Sequence, residues 1–168
     1  MAVIASVDPE ALMRHVHSSV DIDAPAALVW GILTNFAVYE RWNPFIRAIL
    51  GRPDDGNALH VILQRRGHPL TSRSATLTYL SEPRELRWRQ RRSVSGLFAT
   101  ERSFRIEALA AGGVRFHQSE RLHGLLASLL GQGLQRTTQE DFHAMNHALK
   151  KRAEHARAGF SGADRTTC

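Results

Sequence analysis

The sequence is poor in cysteine, and its single cysteine is the last residue, Cys168. One thiol excludes an intrachain disulfide and a cysteine metal cluster. No apolar run approaches the roughly 20 residues that a membrane-spanning helix needs. The opening segment MAVIASVDPEALMR has no positive region ahead of its apolar residues, which is not the pattern of a secretory signal. We therefore expect a cytoplasmic protein with no transmembrane segment.

Three common signatures of enzyme and metal sites are also missing. The segment GLLASLLGQG lacks the preceding strand and the Lys-Ser/Thr of a phosphate-binding loop, and no nucleophile elbow is present. His143 and His147 lie four apart, but the segment between them lacks the glutamate of HExxH. His15 and His17 lie two apart on a strand, and no further ligand is indicated. We predict no metal and no cofactor.

The basic charge is almost all arginine, and the formal net charge is +6. These arginines are scattered among acidic residues and form no basic arm, so we expect no nucleic-acid binding. The densest group lies in one strand-like segment, where alternation explains most of it. Its members are Arg84, Arg87, Arg89, Arg91 and Arg92.

A chain of 168 residues, 43% of them hydrophobic, can bury one substantial core and suits one domain. We expect a loosely attached extension over residues 1–12 and a folded domain over residues 13–158. The ending AGFSGADRTTC is small and polar, so residues 159–168 are expected to form a disordered tail.

The first part of the domain reads as a strand followed by two short helices. Alternating apolar residues predict a strand over Arg14–Ile22, with Asp23 as the N-cap of a helix over Pro25–Thr34. A second short helix over Val38–Trp42 must stop at Asn43, because the residue before a proline avoids the helical region.

The middle of the chain alternates between apolar and polar residues and is divided by short turns. This pattern predicts an antiparallel meander of six strands: Phe45–Leu50, Leu59–Arg65, Thr71–Leu80, Glu85–Arg92, Thr100–Ala108 and Val114–Leu122. Apolar residues at helical spacing follow, from Leu122 to Leu149. They predict a short segment near Gly124–Leu130 that bends into a long helix over Gln132–Arg157.

This order of elements, with the segments APAALVWGILTNFAVYERWNPFI, EPRELRW and FRIEALAAGGVRFHQSE, resembles the SRPBCC or START-like superfamily over roughly residues 13–158. The nearest pattern is that of the polyketide cyclase/dehydrase-like group, in which Trp-Asn-Pro follows paired short helices. The resemblance implies an α+β helix-grip fold: a curved seven-stranded antiparallel sheet wraps around the long helix and leaves a cavity between them. The superfamily includes carriers, chaperone cofactors and enzymes, so the fold does not name a reaction.

Strand alternation indicates which residues face that cavity. If LAAGG is a five-residue hairpin loop, Ala108 faces Val114 and Arg102 faces Glu120. On the preceding hairpin we pair Trp88 with Phe104, which puts Gln90 beside Arg102. Four polar residues then share a face with aromatic ones; they are Gln90, Arg102, Gln118 and Glu120.

An arginine and a glutamate on a buried face must be paired or solvated. Three interpretations are open: a structural Arg102–Glu120 bridge, a polar patch that orients a ligand, or acid–base catalysis by Glu120. By the resemblance, the corner RWNPF closes one end of the cavity, and core packing is the alternative role for its aromatic residues. The expected apolar walls are Trp42, Phe45, Trp88, Phe104, Phe116, Leu129, Phe142 and Met145.

We therefore expect a carrier, sensor or chaperone for a small, mostly hydrophobic molecule such as a lipid, an aromatic or a polyketide-like compound. The alternative is a cyclase, aromatase or dehydratase in which Glu120 acts with a histidine such as His117 or His123. Alternation puts His117 on the opposite face from Glu120, which counts against that pair. A third possibility is an interaction module that uses the outward arginines Arg87, Arg89 and Arg91. Several members of such families form dimers, so a homodimer is possible.

Overall fold

The computed structural model describes residues 13–54, 56–91, 99–123 and 131–163. The chain forms a seven-stranded antiparallel sheet with the strand order β1-β7-β6-β5-β4-β3-β2. The strands are β1 Met13–Ile22, β2 Ile46–Leu50, β3 Ala58–Leu63, β4 Thr71–Ser81, β5 Glu85–Arg91, β6 Ala99–Ala108 and β7 Val114–His123. The helices are α1 Ala26–Thr34, a 3₁₀ helix Phe36–Arg41 and α2 Gly131–Ala163. This arrangement confirms the expected α+β helix-grip fold.

Every predicted strand is present, with its ends shifted by at most two residues. The predicted N-cap is wrong, because Pro25 caps α1 without a side-chain hydrogen bond. Asp23 instead binds the long helix: its backbone N–H donates to the Glu154 carboxylate at 2.9 Å, and its carboxylate pairs with Arg157.

The helical predictions also need two corrections. The second short helix begins at Phe36 and is of the 3₁₀ type. Helix α2 continues to Ala163, so its last turns occupy part of the segment expected to be a disordered tail. The predicted bend near Gly124–Leu130 and the extension over residues 1–12 lie outside the described residues. None of the helices among the described residues combines the length and the hydropathy that spanning a bilayer requires.

Helix α2 lies across one face of the sheet and packs along β1 and α1. Its side chains toward the sheet recur at steps of three and four, and Phe142, Met145, Leu149 and Ala153 are fully buried. On most strands the buried residues alternate beneath them, as the period of two requires. In β2 the buried residues Ile46 and Ile49 are three apart, because a register shift interrupts its pairing with β3. The core therefore lies between α2 and the concave face of the sheet.

The corner WNPF turns the chain from the 3₁₀ helix into β2. The Asn43 side-chain oxygen accepts hydrogen bonds from the backbone N–H groups of Phe45 at 3.1 Å and Ile46 at 2.8 Å. The Tyr39 hydroxyl donates to the Leu33 carbonyl at 2.6 Å, and its ring contacts that of Trp42 at a centroid distance of 4.9 Å. The corner is thus held by an asparagine turn and by aromatic packing.

We expect Gly113→Ala to destabilise the protein clearly more than Gly112→Ala. Both glycines lie in the β6–β7 hairpin with positive φ, 75° at Gly113 and 91° at Gly112. A left-handed conformation costs an alanine about 1–2 kcal/mol at either position. At Gly113, however, a Cβ would lie 2.5 Å from the Ile22 carbonyl oxygen, whereas nothing lies within 4 Å at Gly112. Urea unfolding of both variants measures the difference, and equal losses would contradict the prediction.

Candidate functional site

Strands β6 and β7 bring the predicted polar residues together on the concave face. Arg102 lies opposite Glu120, and Phe104 lies opposite Gln118, as the hairpin loop LAAGG predicted. All four side chains point toward α2, because they occupy alternate positions on their strands.

The predicted pairing of β5 with β6 is wrong by two residues. Trp88 lies opposite Arg102 rather than Phe104, and Gln90 lies opposite Thr100 rather than beside Arg102. A shift of two residues keeps every side chain on its original face. Trp88 and Gln90 are therefore buried on the concave face, as expected. Thr100 is buried with them, and Gln90 lies opposite Thr100, two residues along β6 from Arg102.

Arg102 and Glu120 form a shielded ion pair. The Arg102 Nε donates to Glu120 Oε2 at 2.8 Å, and Nη2 donates to the same oxygen. Only 13% of the Arg102 side chain and 5% of the Glu120 side chain are exposed. The guanidinium also lies over the Phe142 ring, with Cζ 5.1 Å from its centroid. Such a pair is costly to desolvate, so each charge depends on the other for compensation.

Aromatic side chains surround this pair on the sheet. The Trp88 and Phe104 rings meet edge to face at a centroid distance of 4.9 Å, and the Phe104 and Phe116 rings stack at 6.2 Å. All three are buried, as are Phe45 and Met145. The predicted wall residue Leu129 lies outside the described residues.

Three buried polar atoms at the interface of sheet and helix have no hydrogen-bond partner among the described residues. They are Trp88 Nε1, Gln118 Oε1 and Asn146 Oδ1. The Gln118 amide nitrogen makes only a 3.5 Å contact with the sulfur of Met145. Native interiors pair roughly 90% or more of such atoms. One donor and two acceptors are thus available to a bound molecule.

The structure adds polar residues that the sequence did not single out. Asp141 of α2 accepts a hydrogen bond from Arg65 Nε at 2.7 Å. Tyr39 lies near Arg102; burial raises the pKa of its hydroxyl, and the positive charge of Arg102 opposes that rise. The sequence could have indicated Asp141, because it lies next to Phe142 on the apolar stripe of α2. Nothing in the sequence pointed to Arg65 or Tyr39, since their proximity comes from long-range packing.

The outer face of the sheet carries a separate polar cluster. His17 Nε2 lies 3.3 Å from His117 Nδ1, and His117 Nε2 lies 3.1 Å from the Glu107 carboxylate. His117 therefore lies on the opposite face from Glu120, as alternation predicted. Burial lowers the pKa of His117, and the charge of Arg105 lowers it further, which favours the neutral imidazole.

The outward arginines are matched by acidic neighbours. Arg87 Nε donates to Glu85 at 2.6 Å, and an Arg89 nitrogen lies 3.8 Å from the Glu101 carboxylate. The Arg91 side chain lies outside the part of the chain described in atomic detail. This face alternates in charge and is not a purely basic docking surface, which weakens the interaction-module interpretation.

The described residues contain no group of three or more histidine, cysteine, aspartate or glutamate side chains arranged to hold a metal ion. His143 and His147 are exposed on α2. His143 Nε2 lies 3.0 Å from the Gln139 side-chain nitrogen, and His143 Nδ1 lies 3.4 Å from Ser18 Oγ. These contacts account for His143 without a ligand.

Trp42 differs from the other predicted wall residues. It is half-buried and lines a groove with Ile32, Arg41 and residues of α2, and none of the strand residues that the structure describes lines that groove. Its placement therefore separates it from the row that contains Trp88, Arg102 and Glu120.

A family model described as polyketide cyclase / dehydrase and lipid transport matches residues 13–154. No curated protein matches the chain significantly.

Solved structures share the fold at low identity. A di-domain ARO/CYC, BexL from the BE-7585A biosynthetic pathway, is 16% identical to this chain, with a TM-score of 0.69. The match covers 86% of this chain and 51% of BexL, so the chain spans about half the length of that protein. A START superfamily protein from Mycobacterium smegmatis is 21% identical with a TM-score of 0.68, over 84% of this chain and 98% of that one. The Zhui aromatase/cyclase from Streptomyces sp. R1128 is 18% identical with a TM-score of 0.68, over 84% and 94%.

Proposed function

Because the chain belongs to the polyketide cyclase / dehydrase and lipid transport family, we propose that it binds a small, mostly apolar molecule between the concave face of the sheet and α2, as a carrier, sensor or chaperone. The observation that carries the proposal is the Arg102–Glu120 pair, which lies among buried aromatic side chains. The single cysteine suits a reducing compartment, and we place this role in the cytoplasm.

The polar atoms at the interface of sheet and helix define what the ligand should carry. Trp88 Nε1 is a donor and Gln118 Oε1 an acceptor, and neither has a partner among the described residues. Arg102 presents a fork of five N–H donors, and Nε and Nη2 are directed at Glu120. A molecule with a carbonyl and a hydroxyl on an aromatic or polyketide-like body matches this set. Its apolar part would contact Phe104, Phe116 and Met145.

The first test is chemical identification of what the protein carries. Protein purified from its own host should release a stoichiometric lipid, aromatic or polyketide-like compound on denaturation, detected by mass spectrometry. The second arm uses ¹⁵N-labelled protein and follows the Trp88 indole N–H signal, assigned with Trp88→Phe, during titration with 1-naphthol and with naphthalene. We expect a saturable shift with both probes and tighter binding of 1-naphthol, because only 1-naphthol can use the polar patch.

Two matched double variants replace an ion pair with apolar residues, one on the concave face of the sheet and one on the outer face. Arg102→Met/Glu120→Leu should abolish the preference for 1-naphthol, whereas Arg87→Met/Glu85→Leu, the same chemical change on the outer face, should leave it intact. An empty extract together with an unmoved Trp88 signal would overturn the proposal.

The alternative is a cyclase, aromatase or dehydratase acting on a polyketide-like substrate. The observation in its favour is that Glu120, a potential acid or base, lies on the same face as the aromatic walls. The Glu120 Oε2 is bound by Arg102, and His117 lies on the other face, so Glu120 and His117 do not pair. His123 lies six residues from His117 on β7, so alternation puts it on that outer face as well. If the parent protein turns over a substrate, and Glu120→Gln loses that turnover but still binds 1-naphthol, the protein is an enzyme. If the parent shows no turnover and Glu120→Gln binds 1-naphthol equally well, the protein is a carrier.

A further inference from the structure

A second groove lies outside the sheet-and-helix interface, between α2 and the two short helices. This open groove has a volume of about 640 Å³, within the range of about 300–1,000 Å³ that is usual for small-molecule sites. Its floor is apolar, and consists of Ile32, Trp42, Ala148 and Ala156.

The rim of the groove has one sign of charge. Arg41 comes from the end of the 3₁₀ helix, and Lys151, Arg152 and His155 come from α2. Among the described residues, no acidic side chain lines the groove, and none of these four forms an ion pair. Nearby cations on other faces do have partners: Lys150 binds Glu154 at 2.8 Å, and Arg157 binds Asp23. Arg41, Lys151 and Arg152 therefore give the groove three cations that no acidic side chain among the described residues neutralises.

The floor also holds a buried donor. Trp42 Nε1 has no solvent exposure and no hydrogen-bond partner among the described residues, although the rest of the side chain is half-buried. An indole N–H can only donate, so it suits an oxygen acceptor. Burying such a donor without a partner costs about 1–3 kcal/mol when measured by substitution in proteins.

We propose that this groove binds a small anionic amphiphile, with its apolar body on the floor beside Ile32 and its carboxylate between Lys151, Arg152 and Arg41. One carboxylate oxygen would accept the hydrogen bond that Trp42 Nε1 can donate. The cations supply charge-assisted hydrogen bonds to the carboxylate, and the floor excludes water from the apolar body. The site is independent of the proposed ligand position on the concave face, because no residue lines both.

Decanoate is the probe, and two indole N–H signals report on the two sites separately. Trp42 reports on the groove and Trp88 on the concave face, each assigned by its Trp→Phe variant in ¹⁵N-labelled protein. We expect the Trp42 signal to shift saturably with decanoate. The matched probes 1-decanol, which lacks the charge, and acetate, which lacks the apolar body, should each bind roughly tenfold more weakly or worse.

The variant Lys151→Glu/Arg152→Glu should weaken decanoate binding at Trp42 by roughly tenfold or more. The control Arg66→Glu/Arg121→Glu makes the same change in net charge at two exposed arginines away from the groove. This control should change decanoate binding little. The proposal is overturned if only the Trp88 signal moves, if 1-decanol binds as well as decanoate, or if the control pair weakens binding equally. The first of these outcomes would leave the proposed function intact and place the ligand on the concave face alone.

Discussion

Replacing Arg102 with methionine should destabilise the protein by about 3–5 kcal/mol, the usual cost of leaving one charge of a buried pair without its partner. Glu120 would then remain 4% exposed among aromatic side chains, with no counter-charge facing it from β6. The Phe142 ring would also lose the guanidinium that covers it. Chemical denaturation of the parent and Arg102→Met at neutral pH measures the change.

The double variant Arg102→Met/Glu120→Leu is the control for this prediction. It removes both charges and keeps apolar volume, which is often neutral or stabilising for a buried pair. Most of the stability lost in Arg102→Met should therefore return. A single variant as stable as the parent would show that water reaches Glu120 and that the pair lies nearer to solvent than its exposure indicates.

Replacing Phe104 with alanine should cost about 3–5 kcal/mol. Phe104 has no exposed surface, and its ring lies between those of Trp88 at 4.9 Å and Phe116 at 6.2 Å. Truncation would remove both aromatic contacts and leave a cavity in the centre of the sheet. Phe104→Leu should cost less, because it leaves a smaller cavity, and Leu50→Ala, at a side chain that is 56% exposed, should change stability by only about 0.5 kcal/mol or less. Denaturant unfolding of the three variants measures these differences.

Benzene extends this measurement to the proposed ligand position. An apolar cavity of this kind can bind benzene, so benzene should raise the melting temperature of Phe104→Ala by mass action. If benzene also raises the melting temperature of the parent protein, space beside Phe104 exists without the substitution, as the proposed function requires. A Phe104→Ala protein that loses little stability and does not respond to benzene would contradict the central position of this residue in the core.

Stability and ligand binding together separate the two roles open for Arg102 and Glu120. If the pair is only structural, Arg102→Met/Glu120→Leu should be stable and should still distinguish 1-naphthol from naphthalene. If the pair orients a ligand, the same variant should be stable and lose that distinction. Because the two results differ only in the ligand measurement, a loss of folding cannot be mistaken for a loss of function.

The sequence by itself determined the order of the elements, the face on which most side chains lie, and the Arg102–Glu120 pairing. These features depend on local patterns. A period of two assigns each strand residue to a face, and the short loop LAAGG leaves one register for β6 and β7. The stripe Phe142, Met145 and Leu149 likewise identified the buried face of α2.

Only the tertiary structure decided the features that depend on distant parts of the chain. The register of β5 on β6 was mispredicted because a shift of two residues leaves the alternation unchanged and the long connection over residues 92–98 leaves the register open. Asp23 was expected to cap α1, but it binds Arg157, which lies 134 residues away in sequence. Trp42 remains a predicted wall residue, and its position in the groove beside α2 could not be read from the sequence. Local sequence determines on which face of its strand or helix a side chain lies. The residue that this side chain contacts is determined by packing between elements that are far apart in the chain.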